Sequence, residues 1–318
     1  MNFLGIEIGG SKLQLATGSE SGKIFEVARL EIEPASGAAA IRGKIEAYIT
    51  EFKPRFDWQA IGVGFGGPVN WKTGRICRSH QVDGWNEFDL GDWLRDLSRL
   101  PVIVDNDSNL AAYAEAILGA GRGFNPVFYT NSGSGVGAGA VMDGSIYHGA
   151  LLGEMEFGHL RLDREGTEIE HRCSGWAVDA RIQAAIAGEP HGILADQVAV
   201  CGKPFAAALA SSLEKNCPLA RQILEETAES MAWGLSHVVH LVHPEVIVLG
   251  GGLAFIGESW REAIARKLRS FVMPAFLPGP QVRLSHFRDM VVPTGALLSA
   301  AAALRTIQIK PEHHDNKL

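Results

Sequence analysis

Paired cysteines are absent from this chain. Its four, Cys77, Cys173, Cys201 and Cys217, stand far apart and form no CxxC or CxC motif. A disulfide framework or a dithiol redox centre is therefore not expected, and reduced thiols in a cytoplasmic protein are the simplest reading. Basic runs are missing as well: no five Lys or Arg follow one another, and 29 basic against 36 acidic residues leave a formal charge of −7. That argues against a surface built around a nucleic-acid backbone, which needs a concentrated basic patch. Long apolar runs are the third absence. No stretch reaches the roughly eighteen residues that a membrane span needs. The opening MNFLGIEIGGSK has neither the basic n-region nor the apolar h-region of a secretory leader. Neither nucleic acid nor a membrane is an expected partner.

What is present is an ordinary globular balance, 46% apolar and 20% charged over 318 residues, a length that suits two domains better than one. FLGIEI alternates over residues 3–8, Gly-Gly-Ser follows, and KLQLAT and IFEVARLEI alternate again. These predict antiparallel strands joined by Gly-rich turns. A helix is expected around residues 37–53, then a short buried strand, AIGVGF. PVIVDND predicts a strand that ends where SNLAAYAEAILGAG opens a helix. The opening pattern then returns in VFYTNSGSGVGAGAVMDGSIYHG, as architecture rather than residue by residue, which predicts two related halves meeting near residues 108–120. Downstream, a long helix is expected over 219–243, then EVIVLGGGL as a buried strand running into three glycines, and TGALLSAAAALRT as a closing helix.

Two hairpin turns, Gly9-Gly10-Ser11 and Ser132-Gly133-Ser134-Gly135, consist of small residues, and Gly250-Gly251-Gly252 ends a strand. Turns without Cβ atoms let backbone N–H groups approach an anion, and a hydroxyl adds a donor. Glycines also simply punctuate hairpins, but three such turns after apolar strands favour a common nucleotide cleft. Neither a Walker A loop nor a dinucleotide fingerprint is present. Asp105, Asn106 and Asp107 arrive together at a helix start. Asp and Asn cap helices well, so Asp107 has a structural reading. Its functional reading is a base that accepts a hydroxyl proton during phosphoryl transfer, a reaction that needs positioning and charge more than covalent help. Glu156 and His159, beside Gly158, offer the paired acceptor and donor that vicinal sugar hydroxyls require; His159 also has a plain structural reading as a hydrogen-bonded histidine.

The ordered set GIEIGGSK, VGFGGPVN with a following DGW, NDSNLAAYAE, SGSGVGAG, EFGH and VIVLGGG resembles the ROK family of repressors, open reading frames and kinases. That family includes bacterial glucokinases and other hexose and N-acetylhexosamine kinases. The resemblance spans roughly residues 3–305 and implies an α/β fold of two actin-like (ribonuclease H-like) ATPase domains around a central cleft. The domains would be 1–115 and 116–293, with the closing helix 294–306 packing back on the first. It implies ATP-dependent transfer to a hexose, with Asp107 as catalytic base and Asn106, Gly67, Glu156 and His159 on the sugar. Gly9, Gly10, Ser11, Lys12, Gly133, Ser134 and Gly135 would face the phosphates, and Gly251 and Gly252 the adenosine. A homodimer and Mg²⁺ are implied on the same ground.

Three departures stand out. Glu7 replaces the usual Asp of the phosphate-facing hairpin, where it would position hydrated Mg²⁺. Gln81 stands where an Asn is expected on the sugar side. Many relatives hold a structural zinc through the EFGH histidine and a CxCGxxGC run, whereas HRCSGWAVDAR keeps only Cys173, with His171; a tetrahedral site lacks its fourth ligand and zinc is not expected. The glutamate that often follows the cysteine run is displaced, with Asp179 nearby. The first hairpin begins by residue 3, which leaves no room for the DNA-reading module of a repressor. Glucose is slightly favoured, with mannose, fructose and the N-acetylhexosamines open, and polyphosphate open as donor. A catalytically weakened sugar-binding protein is the alternative class.

Overall fold

The structure, a computed structural model, describes residues 1–10, 12–79, 81–151 and 155–309, with no side chains described at 307–309. The chain divides into two units, one of Met1–Ala114, His148–Gly153 and Met290–Leu318, the other of Glu115–Tyr147 and Glu154–Asp289. Ser11 lies outside the described residues.

In the first unit the alternating runs form β1 (Asn2–Ile8), β2 (Lys12–Ser19) and β3 (Ile24–Glu31). Helix α1 (Gly37–Phe56) leads to β4 (Trp58–Phe65), a small hairpin of β5 (Val69–Asn70) and β6 (Arg75–Ile76), helix α2 (Leu90–Ser98), β7 (Val102–Asn106) and α3 (Asp107–Ile117). The sheet order is β3-β2-β1-β4-β7, antiparallel on the β3 side and parallel from β1 to β7. Register aligns Ile8 with Phe65 and Phe65 with Asn106. The carboxyl ends of three parallel strands therefore share one edge, the edge where α/β sheets carry their ligands.

The second unit opens with β8 (Val127–Ser132), β9 (Val136–Met142) and β10 (Ser145–Ile146). Helices α4 (Glu170–Cys173), α5 (Gly175–Gly188), α6 (Ile193–Cys201), α7 (Ala206–Glu214) and α8 (Pro218–Val242) follow, then β11 (Val246–Gly251), α9 (Glu258–Phe271) and β12 (Gln281–Leu284). Its sheet order is β10-β9-β8-β11-β12. Again a three-stranded antiparallel part continues into parallel strands. Both sheets thus follow one plan, as the returning sequence pattern predicts. Helix α8 starts with a Pro in its first turn and stops at His243, which adopts the left-handed conformation. Its apolar face, from Ala220 through Met231 to Val239, belongs to this unit's core with Phe128, Ile247 and Trp260.

The chain then returns as α10 (Val291–Ile309), which packs on β1 and β4 of the first unit. Glycines set how closely it approaches. A Cβ on Gly62 of β4 would collide with the carbonyl of Ala296, and one on Gly295 with that of Leu110. The first glycine of AIGVGF is therefore explained by helix packing, with no ligand needed. No helix among the described residues is long and apolar enough to cross a membrane.

Candidate functional site

In the first unit, the candidate residues gather at the shared strand edge. Glu7 and Gln14 are directly opposed across the β1–β2 ladder, and Gln14 Nε2 donates to Glu7 Oε2 at 2.6 Å. Lys12 Nζ lies 3.0 Å from Glu7 Oε1, and Arg29 Nε donates in turn to Gln14 Oε1 at 3.2 Å. Glu7 is buried, and both its oxygens are engaged. Gly10 is covered by Gln81: a Cβ there would run into the Gln81 carboxamide. Gln81, expected on the sugar side, thus lies against the turn expected to face phosphates.

At the end of β7, three neighbouring polar residues do three different things. Asp105 is spent on structure, since Oδ1 accepts from the Asn106 backbone at 2.8 Å and from Asn109 Nδ2 at 3.0 Å, and Oδ2 meets His148 Nε2 at 2.7 Å. The His148 ring stacks on Trp71 with centroids 4.1 Å apart. Asn106 is the helix cap: its Oδ1 accepts the backbone N–H of Ser108 at 2.8 Å and of Asn109 at 3.3 Å, while Nδ2 donates to the Gly67 carbonyl at 3.2 Å. The capping reading of Asp107 is corrected accordingly. Asp107 lies one residue inside the helix, partly exposed, and accepts from Ser108 Oγ at 3.2 Å. Burial, and then the nearby Glu7 charge, push its pKa up to about 6, against the pull of the Ser108 hydrogen bonds and Lys12. A carboxylate tuned toward neutrality and free of capping duty suits a general base.

In the second unit, the Ser132–Gly135 turn joins β8 to β9, and register sets Gly251 beside Ser132. The Gly175 N–H donates to the Gly133 carbonyl at 2.7 Å, which brings the start of α5 to the same turn. These glycines differ in why they are glycines. A Cβ on Gly133 would meet open space, whereas one on Gly135 would strike the Glu170 carboxylate. One on Gly251, where φ is +75°, would strike the Ser132 backbone. Gly135 and Gly251 thus have structural reasons of their own, while Gly133, with Ser134 next to it, leaves room for a ligand. Gly252 begins the short helical turn that follows β11.

Glu156 and His159 flank a single three-ten turn, with Glu156 Oε2 3.9 Å from His159 Nε2. The other ring nitrogen, Nδ1, lies 2.8 Å from Glu168 Oε2. Cys173 is buried in the core, its Sγ facing the Thr227 carbonyl at 3.6 Å and its thiol pushed up to about 12 by burial. His171 Nδ1 accepts the Glu168 N–H at 3.3 Å. Cys173 and His171 therefore do not join His159 as a ligand set, and no group of three or more His, Cys, Asp or Glu among the described residues could hold a metal ion. Asp179 holds the Phe205 N–H at 3.1 Å. The carboxylate that reaches the glycine turn is instead Glu170, whose Oε2 accepts the Val136 N–H at 2.8 Å.

Sequence reasoning missed Glu168, Glu170 and His148. A signal existed for Glu168: LRLDREGTEIE alternates around an Asp-and-Gly turn, a hairpin pattern that sets Glu168 opposite Arg161.

A family model described as the ROK family matches residues 3–302. The chain is 28% identical over 308 residues to a glucokinase of Halalkalibacterium halodurans, covering 89% of this chain and 90% of that one. It is 26% identical over 258 residues to a beta-glucoside kinase of Listeria innocua, covering 80% and 83%. The structure of a ROK family glucokinase from Streptomyces griseus, in complex with glucose and AMPPNP, superimposes with a TM-score of 0.84 at 25% identity. That alignment covers 95% of this chain and 100% of the other.

Proposed function

The chain belongs to the ROK family, and from that membership we propose that it is an ATP-dependent hexose kinase that moves the γ-phosphoryl group to a sugar hydroxyl, with glucose favoured. Support for glucose comes from the glucokinase relative and from the glucokinase whose fold it shares. The observation that carries the reading is Asp107, a carboxylate just past the carboxyl end of the parallel strand β7, raised to about 6 and left out of the helix cap.

On the first unit, Asp107 takes the proton of the attacking hydroxyl, and Asn106 and the Gly67 loop hold its neighbours. The Asn106 oxygen is consumed by capping and one amide hydrogen by the Gly67 carbonyl, so Asn106 serves the sugar through its other amide hydrogen. Lys12, Gly10 and Ser11 receive phosphate oxygens, while the Gly9 N–H closes the turn on the Lys12 carbonyl at 3.0 Å. Mg²⁺ accompanying the nucleotide supplies charge neutralisation; Glu7 would hold it only through water, because both carboxylate oxygens already have protein partners. On the second unit, Glu156 and His159 take sugar hydroxyls. Gly135 offers a backbone donor to phosphate, beside Ser134 and the open face of Gly133, whose own N–H is held by the Gly135 carbonyl at 2.9 Å, and Gly251 and Gly252 flank the adenosine.

The test is a substrate panel of glucose, mannose, fructose, N-acetylmannosamine, N-acetylglucosamine and a β-glucoside, with ATP and Mg²⁺, read by coupled ADP release. Saturable, sugar-dependent release is expected, with glucose best. Sugar binding without sugar-dependent ADP release would leave a binding protein and sink the kinase.

A further inference from the structure

Glu168 has no part in the transfer just described, yet its carboxylate grips the sugar-side histidine. Its own position does not depend on that grip. Residues 160–169 form a short hairpin in which Leu162 N–H donates to the Thr167 carbonyl at 2.7 Å and Ile169 N–H to that of Leu160 at 3.0 Å. Asp163 Oδ1 accepts the Thr167 N–H at 2.9 Å, and Gly166 turns the chain with φ of +94°. Register therefore delivers Glu168 to His159 from a separately built frame.

The ring needs such a partner. The His159 side chain is 60% exposed, so packing alone does not select its rotamer, and an unrestrained ring would lose freedom when a ligand binds. With the carboxylate accepting at Nδ1, that nitrogen must carry a proton, and Nε2 becomes the one left for a ligand, 3.9 Å from Glu156 Oε2.

We propose that Glu168 is a positioning residue: it fixes the ring and protonation pattern of His159 so that Nε2 and the Glu156 carboxylate meet adjacent sugar hydroxyls as a donor and acceptor pair. The proposal rests on the sugar-site reading of Glu156 and His159. Charge supports the geometry. The Glu168 hydrogen bond, and then the Glu168, Glu156 and Glu170 charges, raise the His159 pKa, against partial burial. The His159 hydrogen bond, and then the His159, His171 and Arg161 charges, lower the Glu168 pKa in return. In the charged form that these carboxylates favour, the ring donates from Nε2, and the neighbouring hydroxyl donates a hydrogen bond to Glu156.

The experiment compares wild type, His159→Ala, Glu168→Gln and the double variant with glucose, ATP and Mg²⁺, and follows the His159 ring by ¹⁵N NMR without sugar. Glu168→Gln should raise the glucose KM about tenfold, the effect of roughly one net hydrogen bond to a charged group, with kcat and the KM for ATP little changed. The double variant should be no worse than His159→Ala, because Glu168 acts only through the ring. The His159 titration midpoint should fall in Glu168→Gln. Glu168→Asp, which shortens the reach, provides a second variant should Gln disturb the hairpin. An unchanged KM in both Glu168 variants, or a loss that adds to that of His159→Ala, overturns the proposal and leaves the sugar site standing. An unchanged KM in His159→Ala overturns the sugar-site reading and the proposal with it. The ring measurement needs no sugar, and an unmoved midpoint overturns the positioning role by itself.

Discussion

The Asn106 side-chain oxygen receives the amide hydrogen of Ser108, at 2.8 Å, and so caps α3. One residue thus caps α3 while its neighbour stays available for chemistry, and the two roles can be separated by mutation. Asn106→Ala should cost about 1 kcal/mol of stability, the usual scale for a lost cap. The same change at Asp107 removes no cap.

Asp107→Asn should therefore lower turnover at least about a hundredfold, the scale of a lost general base, without destabilising the protein. The sign follows from linkage. The folded-state pKa of Asp107 is raised to about 6 from an ordinary value of 3.8, so its stabilising contribution is full below the ordinary value and is lost as pH rises through about 6. At pH 7 the wild type carries a penalty, up to about 3 kcal/mol for a shift of this size, that the neutral amide lacks. Melting curves at pH 7 should place Asp107→Asn at or above wild type, with the gap shrinking toward pH 4. A variant that melts lower at pH 7 while turning over normally would reduce Asp107 to a structural group.

The same group sets a pH profile. If Asp107 must be ionised to accept a proton, kcat/KM should fall below a midpoint near pH 6. Glu7 is the largest charge raising that value, so Glu7→Gln should move the midpoint down, whatever else it does to turnover. A midpoint that stays put would assign the titration to another residue.

The strands and their Gly-rich turns were legible because alternation and small-residue turns are local signals. Which of Asn106 and Asp107 caps α3 was not, since both residue types cap well and the choice depends on where β7 stops. Glu168 carried a hairpin signal but no motif of its own, and its meeting with His159 comes only from the fold. The missing fourth ligand beside Cys173 was legible, but not that the short α4 turns its thiol into the core, which only the packing shows. The His148 and Asp105 pair joins residues that only the tertiary fold brings together.

Zinc content provides a direct check on that core placement. The purified protein should retain only substoichiometric zinc after dialysis, and turnover should need added Mg²⁺. The thiol pushed up to about 12 by burial resists the deprotonation that zinc ligation requires. Stoichiometric zinc would mean that His159 leaves Glu168 for a metal and that α4 unwinds to release Cys173.

Gly10 and Gln81 form the last testable pair. No Cβ fits at Gly10 while the Gln81 carboxamide occupies that space. Gly10→Ala must therefore displace Gln81, and because the obstructing atoms belong mainly to the end of a flexible side chain, the move should cost little stability. Any functional loss should then arise largely from the displaced carboxamide beside the phosphate-facing turn. Gln81→Ala should reproduce much of that loss, and the two changes together should be no worse than the more damaging one alone, since contacting residues do not contribute additively. The measurement is kcat and KM for ATP and for the sugar across the four-protein cycle. Strict additivity would show that Gly10 and Gln81 act separately, with the glycine serving the nucleotide through its backbone and Gln81 serving the sugar, as the family pattern alone implies.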